Sequence, residues 1–246
     1  MSQPPTSAAP ANSFSAYIDK VGRNQPDIVL MAPYMTYLVL LALVSFFPPE
    51  LEWIPIVIRG VGSLLVAFLF LPYMPSWGKP YMWIAVPAGL FAAWGWVAGD
   101  YFFEAIGLGG RLPGFPGEPS VHDLRHTIGA YHLFRATVIL KILVACTAVP
   151  VVEELFWRAF LLRALIKWDR FDTIPLGKFT WFSFIGTALI STVQHPDNWM
   201  ISIFCWLFFN LLFYWTRSIW CLVIVHSVTN FALYFYVVKT NDWSFW

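Results

Sequence analysis

The chain alternates long uncharged apolar runs with short polar breaks. The first run, Ile28 to Phe47, carries no charge and is long enough to cross a hydrocarbon core of about 30 Å. Trp53–Leu71 follows with one charge, Arg59, and Pro80–Ala98 has none. Phe179–Gln194 is shorter, while Asn198–Thr216 and Ser218–Val238 again lack Asp, Glu, Lys and Arg. The stretch Ala130–Ile166 is apolar overall but contains Arg135, Lys141, Glu153, Glu154, Arg158 and Arg163. As one helix it would extend roughly 55 Å, and Pro150 is expected to kink or divide it. This pattern predicts an all-α polytopic membrane bundle, with seven transmembrane helices if that stretch crosses once and eight if it divides.

The charges in the breaks favour seven. With alternating passes, Lys20, Arg23, Lys79, Lys167, Arg170, Lys178 and Arg217 share one side. Glu50, Glu52, Asp100, Glu104, Glu118, Asp123 and Asp197 share the other with Arg111 and Arg125. The positive-inside rule then places the N-terminus in the cytoplasm. Residues 1–27 read as a disordered or interfacial tail, with no signal-peptide pattern in the Ser-, Pro- and Ala-rich stretch 1–15. Residues 28–238 form a single membrane domain, 99–129 a Gly- and Pro-rich outer loop, and 239–246 a C-terminal tail.

Composition narrows the function classes. The 246 residues are 59% hydrophobic, 19% aromatic and 12% charged, against about 25% charged in a soluble domain. These figures argue against a soluble enzyme, a disordered chain or a nucleic-acid binder, and name the lipid bilayer as the first partner. A net charge of +1 implies no polyanionic partner. Cys146, Cys205 and Cys221 lie in apolar runs without CxxC spacing, so neither a disulfide framework nor a zinc ribbon is expected.

Ionisable groups at membrane depth are costly and each calls for a partner. Glu154 and Arg158 are four apart and can pair on one helix face. Glu153, about 100° around the helix, is left free of Arg158 and available to a polar cavity. His195 ends the short run, in Gln194-His195-Pro196-Asp197-Asn198. His226 and Asn230 are again four apart on one face, in the middle of an uncharged pass. Taken singly, an interfacial ion pair, a structural histidine and an interhelical hydrogen bond explain these groups as well as catalysis does. Together they supply a general acid and base for water and donors for an oxyanion, a toolkit for amide hydrolysis without a covalent nucleophile. Ser227 diverges from its neighbour His226 on a helix, and no GxSxG is present. Zinc could draw on Glu153, His195 and His226, but HExxH spacing is absent and no cofactor is expected. Arg59 and Arg135 are expected to snorkel or pair, and Lys141 to find an acid.

Glu153-Glu154-x-x-x-Arg158, then His195, then His226-x-x-x-Asn230, resembles the three-motif pattern of the CAAX prenyl protease Rce1-like (CPBP or ABI) family of glutamic intramembrane endopeptidases, over roughly residues 130–235. One position departs from it: Ser191 stands where the family usually has Phe, four residues before the histidine. The resemblance implies a helical membrane fold with a water-accessible cavity. It also implies water activation by Glu153 and His195, an oxyanion site at His226 and Asn230, and Glu154 and Arg158 in support. In layout and in its Trp-rich first half, the chain is also similar to bacterial CAAX-protease-related proteins found beside exosortase systems. That similarity implies the bacterial inner membrane and a protein or peptide substrate, lipidated or linked to that pathway. The alternative is a non-catalytic relative acting in immunity, binding or assembly. A transporter would call for inverted repeats and broken helices in both halves, whereas the polar residues here concentrate in the second half.

Overall fold

The computed structural model describes residues 13–116, 128–129 and 131–246. Its helices are α1 (Ser13–Asn24), α2 (Pro26–Leu41), α3 (Trp53–Phe70), α4 (Met82–Ala105), α5 (Tyr131–Glu154), α6 (Trp181–Gln194), α7 (Trp199–Thr216) and α8 (Ile219–Thr240). The helix of α5 continues through a π-helical turn, Leu155–Leu161, into a last α-turn, Leu162–Ala164. After α8 a 3₁₀ turn, Trp243–Phe245, folds back against the bundle. No strand occurs among the described residues.

Among the described residues, six helical stretches are long and apolar enough to cross a membrane. The seventh helix, α6, has only 14 residues and rises about 21 Å. Bulky apolar side chains point outward, including Val39 (71% exposed), Phe68 (71%), Trp83 (74%), Trp94 (65%) and Phe182 (69%). A surface of this kind suits hydrocarbon rather than water. The protein is therefore an integral membrane protein.

Contacts between loops fix which ends lie together. At one end the Tyr73 hydroxyl donates to Asp19 at 2.9 Å. The Ser218 hydroxyl contacts the carbonyls of Trp77 and Lys79 at the same end, and Gly177 lies against Arg217. At the other end Arg111 pairs with Asp197, Asn198 donates to Asp100 at 3.1 Å, and the Tyr101 hydroxyl donates to Asp242. This is the alternation that seven helices require, with α6 joining the two ends. Pro150 does not divide the long segment: α5 runs through it unbroken. Membrane helices tolerate proline where neighbours satisfy the backbone it frees.

The polar breaks differ in detail from their expected form. α1 starts at Ser13, within the expected tail, and residues 1–12 lie outside the described residues. On α1, hydrogen bonds from Arg23 and then Tyr73 hold the Asp19 carboxyl below its usual range. α4 reaches Ala105, farther than the apolar run. Of the expected outer loop beyond it, residues 117–127 lie outside the described residues, as does residue 130.

Small and polar residues bring the helices together, as in other membrane bundles. A Cβ on Gly89 of α4 would sit 2.6 Å from the Val228 Cβ and 2.7 Å from the Val225 carbonyl of α8. Thr229 spans the same seam by donating to the Gly89 carbonyl at 3.2 Å. On α3, Gly60 admits Val144 of α5 in the same way. Helices α6 and α7 are joined by Ser191 with Ser202 at 2.8 Å and by Asn210 donating to Thr187 at 2.8 Å. Ser191, where the family pattern has Phe, is thus a buried interhelical contact too tight for a ring.

Candidate active site

Helices α2 to α5, α7 and α8, with the end of α6 and the C-terminal turn, enclose a cavity of about 420 Å³. Glu153, His195, His226 and Asn230 all line it, and it extends to Asp197, Asn198 and Ser244 at one end of the bundle. Glu154 and Arg158 lie behind its wall, with no exposed surface.

The two adjacent carboxylates occupy different surroundings, as their spacing suggests. Glu154 Oε1 accepts from Arg158 Nη1 at 3.4 Å, and Oε2 lies 3.2 Å from Nε off the hydrogen-bonding direction. The Arg158 guanidinium also lies over the rings of Trp206 and Phe209, at 5.5 and 5.4 Å. Glu153 is 4% exposed, and its Oε1 accepts from Gln194 Nε2 at 2.6 Å. Its other oxygen, Oε2, is buried and has no hydrogen-bond partner among the described residues.

Glu154 also meets His226, whose Nδ1 is 2.9 Å from Oε1. A nitrogen facing a carboxylate carries the proton, so Nδ1–H donates and Nε2 is the atom left for chemistry. Nothing in the spacing of the motifs signals this cross-helix contact. Asn230 Nδ2 donates to the Ala145 carbonyl at 2.7 Å. One of its two N–H groups orients the amide, and the other remains available.

His195 caps the end of α6, where the chain turns into Pro196. Its ring stands between those of Trp96 and Trp206, with centroids at 5.2 and 5.3 Å. Across the turn, the Leu112 amide donates to the Pro196 carbonyl at 2.7 Å. These contacts hold the imidazole at the cavity wall.

Sequence reasoning passed over Gln194. Its amide accepts from Trp157 Nε1 at 3.1 Å while donating to Glu153, which ties the π-helical turn to the carboxylate. Its one signal is that it is an amide at the end of an uncharged helix, beside His195. The π-helical turn begins immediately after Glu154, a feature often found at functional sites.

Two of the remaining charges differ from expectation. Arg59 pairs with no acid among the described residues: it is 9% exposed and lies over the Tyr37 ring at 5.3 Å. Lys141 has no acid within ion-pair distance among the described residues and rests over Trp246 at 4.1 Å and Tyr234 at 5.9 Å. Arg135 is exposed, as snorkelling requires, and lies over Tyr131 at 5.7 Å. The three cysteines are free. No three His, Cys, Asp or Glu side chains converge as a metal-ligand set among the described residues.

Comparison with known proteins places this arrangement in context. No curated protein and no solved structure matches the chain. Residues 135–232, from the first turns of α5 to α8, match the family model of type II CAAX prenyl endopeptidases, Rce1-like. That stretch contains Glu153, Glu154, Arg158, His195, His226 and Asn230, and over it the chain is similar to the Rce1-like family.

Proposed function

We propose that this protein is an intramembrane endopeptidase that hydrolyses a peptide bond of a membrane-associated protein or peptide with an activated water. The observation that carries the reading is the Glu153 carboxylate: one oxygen is held by Gln194, and the other is buried with no partner among the described residues, at the wall of a polar cavity. Glu153 takes a proton from water as the oxygen attacks the carbonyl carbon, and His195 holds that water. The tetrahedral oxyanion accepts hydrogen bonds from Asn230 Nδ2 and from His226 Nε2. His226 donates from both nitrogens as an imidazolium, with the Glu154 carboxylate as its counter-charge. Collapse breaks the C–N bond, and the proton on Glu153 passes to the leaving amine. Arg158 holds Glu154 in place.

The same reading orients the protein. Lys20, Arg23, Lys79, Lys178 and Arg217 belong to the end opposite Asp197, so the positive-inside rule puts the basic end in the cytoplasm. The cavity then extends toward the far face of a bacterial inner membrane. A membrane-impermeant maleimide applied from outside should label Glu104→Cys and spare Lys79→Cys; the reverse pattern inverts the orientation.

The function is tested by mapping new protein termini in cells expressing wild-type, Glu153→Gln or His226→Ala protein. Termini present only with the wild type support the proposal. Identical termini in all three, with the variants inserted and folded, refute it.

A further inference from the structure

The chemistry proposed above uses no hydroxyl, yet two tyrosines line the cavity with Glu153: Tyr37 on α2 and Tyr234 on α8. The Glu153 charge acts on both through space, and Tyr37 acts on Tyr234 in the same way. Both residues keep part of their surface open, and neither hydroxyl has a hydrogen-bond partner among the described residues. A phenol hydroxyl is both donor and acceptor, so each is ready to bind a polar group that enters the cavity. The rings themselves are held in place. Arg59 lies over Tyr37 at 5.3 Å, Lys141 lies over Tyr234 at 5.9 Å, and Trp246 meets Tyr234 edge-on at 5.2 Å. A cation is drawn to an aromatic face, so the two cations that found no acid each pin one tyrosine. Tyr34, one turn before Tyr37, packs on Phe156 of the π-helical turn at 4.8 Å, which sets α2 level with Glu153.

We infer that Tyr37 and Tyr234 are substrate-positioning residues whose hydroxyls hydrogen-bond the main chain of a peptide beside its scissile bond. The inference rests on the endopeptidase reading for the scissile bond but not for the peptide. Side chains on a helix lean toward its N-terminus, so Tyr234 leans over the turn that carries Asn230. The two residues are one turn apart along α8, about 6 Å. Extended peptide covers about 3.3 Å per residue, so the group bound by Tyr234 lies roughly two residues from the carbonyl at Asn230. Tyr37 reaches the same strand from α2. An extended peptide inside a membrane bundle leaves its own amides unpaired, at a cost that the two hydroxyls offset.

The test uses full-length Glu153→Gln protein in nanodiscs, so that binding is read without turnover. The probes are an N-myristoylated hexapeptide amide of leucine, serine and alanine, and a series in which each internal amide in turn is replaced by an ester. An ester lacks the N–H and is a weaker acceptor, so at least one ester should bind about 3- to 10-fold more weakly than the parent. That penalty should vanish in Tyr37→Phe or Tyr234→Phe, which keep the ring under its cation and lose only the hydroxyl. It should persist in Tyr131→Phe, whose ring also lies under a cation, Arg135, but outside the cavity. A folding defect weakens parent and ester alike and leaves their ratio unchanged. Failure of the parent to bind at about 1 mM, absence of any ester penalty, a penalty unchanged in both cavity variants, or one lost equally in Tyr131→Phe overturns the inference. If the coupling holds while the protein with Glu153 intact yields no new terminus in cells, the endopeptidase reading fails and the peptide site stands. New termini in cells without the coupling overturn the tyrosine role alone.

Discussion

Gln194 offers the sharpest test of how the carboxylate is prepared. Gln194→Met keeps the length and bulk of the side chain but removes the bond to Glu153 at 2.6 Å and the bond from Trp157 at 3.1 Å. A hydrogen bond to a charged group is worth about 1.5–3 kcal/mol. If that bond aligns Glu153 only when the water attacks, its loss lowers kcat by roughly 10- to 150-fold. Gln194 acts through Glu153 rather than on substrate, so KM should change little. The Trp157 indole, left unsatisfied, costs a further ~1–3 kcal/mol of stability, read as a lower midpoint in detergent unfolding. The assay is turnover of a reporter peptide built around a terminus found in the cellular experiment, with kcat and KM measured separately. A folded Gln194→Met protein with kcat within twofold of wild type would refute the positioning role.

Other consequences are more local. Gly89→Val should place its branched side chain against Val228 and the Val225 carbonyl, with overpacking of about 1–3 kcal/mol visible as a lower unfolding midpoint. Ser191→Phe, which restores the usual family residue, should destabilise this chain because Ser202 lies 2.8 Å away; pairing it with Ser202→Gly should recover part of the loss. Burial opposes ionisation of Asp242, but hydrogen bonds from Ser244, Tyr101 and Tyr236 outweigh it and hold the carboxyl below its usual value. Its contribution is therefore complete above the unfolded value of about 3.9 and is lost as pH falls through the lower folded value. Acrylamide quenching of Trp243 and Trp246 should rise below about pH 4, and Asp242→Asn should raise it at neutral pH.

The parts of the fold that were legible in the sequence are those governed by hydrocarbon and by helical spacing. Uncharged runs marked the helices, and the basic residues of the breaks fixed their alternation, because both answer to the bilayer. Glu154 and Arg158 were readable as a pair because four residues make one turn. The Glu154–His226 contact joins helices 72 residues apart, and no periodicity encodes such a register. Gln194 was illegible for a related reason: an amide is not costly enough at a helix end to stand out as a charge does. Lys141 misled because charge was expected to seek charge, whereas the chain supplied Trp246 and Tyr234. That solution depends on the C-terminal segment folding back from the far end of α8.

The π-helical turn has one more implication. A hydrogen bond from residue i to i+5 encloses one residue more than the α-helical bond, and one residue is worth about 100° of rotation. The turn thus acts as a phase shifter between two parts of one rod. Ahead of it, Glu153 and Glu154 are aimed by α6 and α8. Behind it, Arg163 donates to the Ala159 and Ile174 carbonyls and clasps the loop that leads to α6. Deleting one residue within Leu155–Leu161 would return the rod to uniform pitch and swing Arg163 off that loop while leaving the carboxylates in register. The chain can therefore alter how the loop between α5 and α6 docks without re-aiming the groups proposed for chemistry.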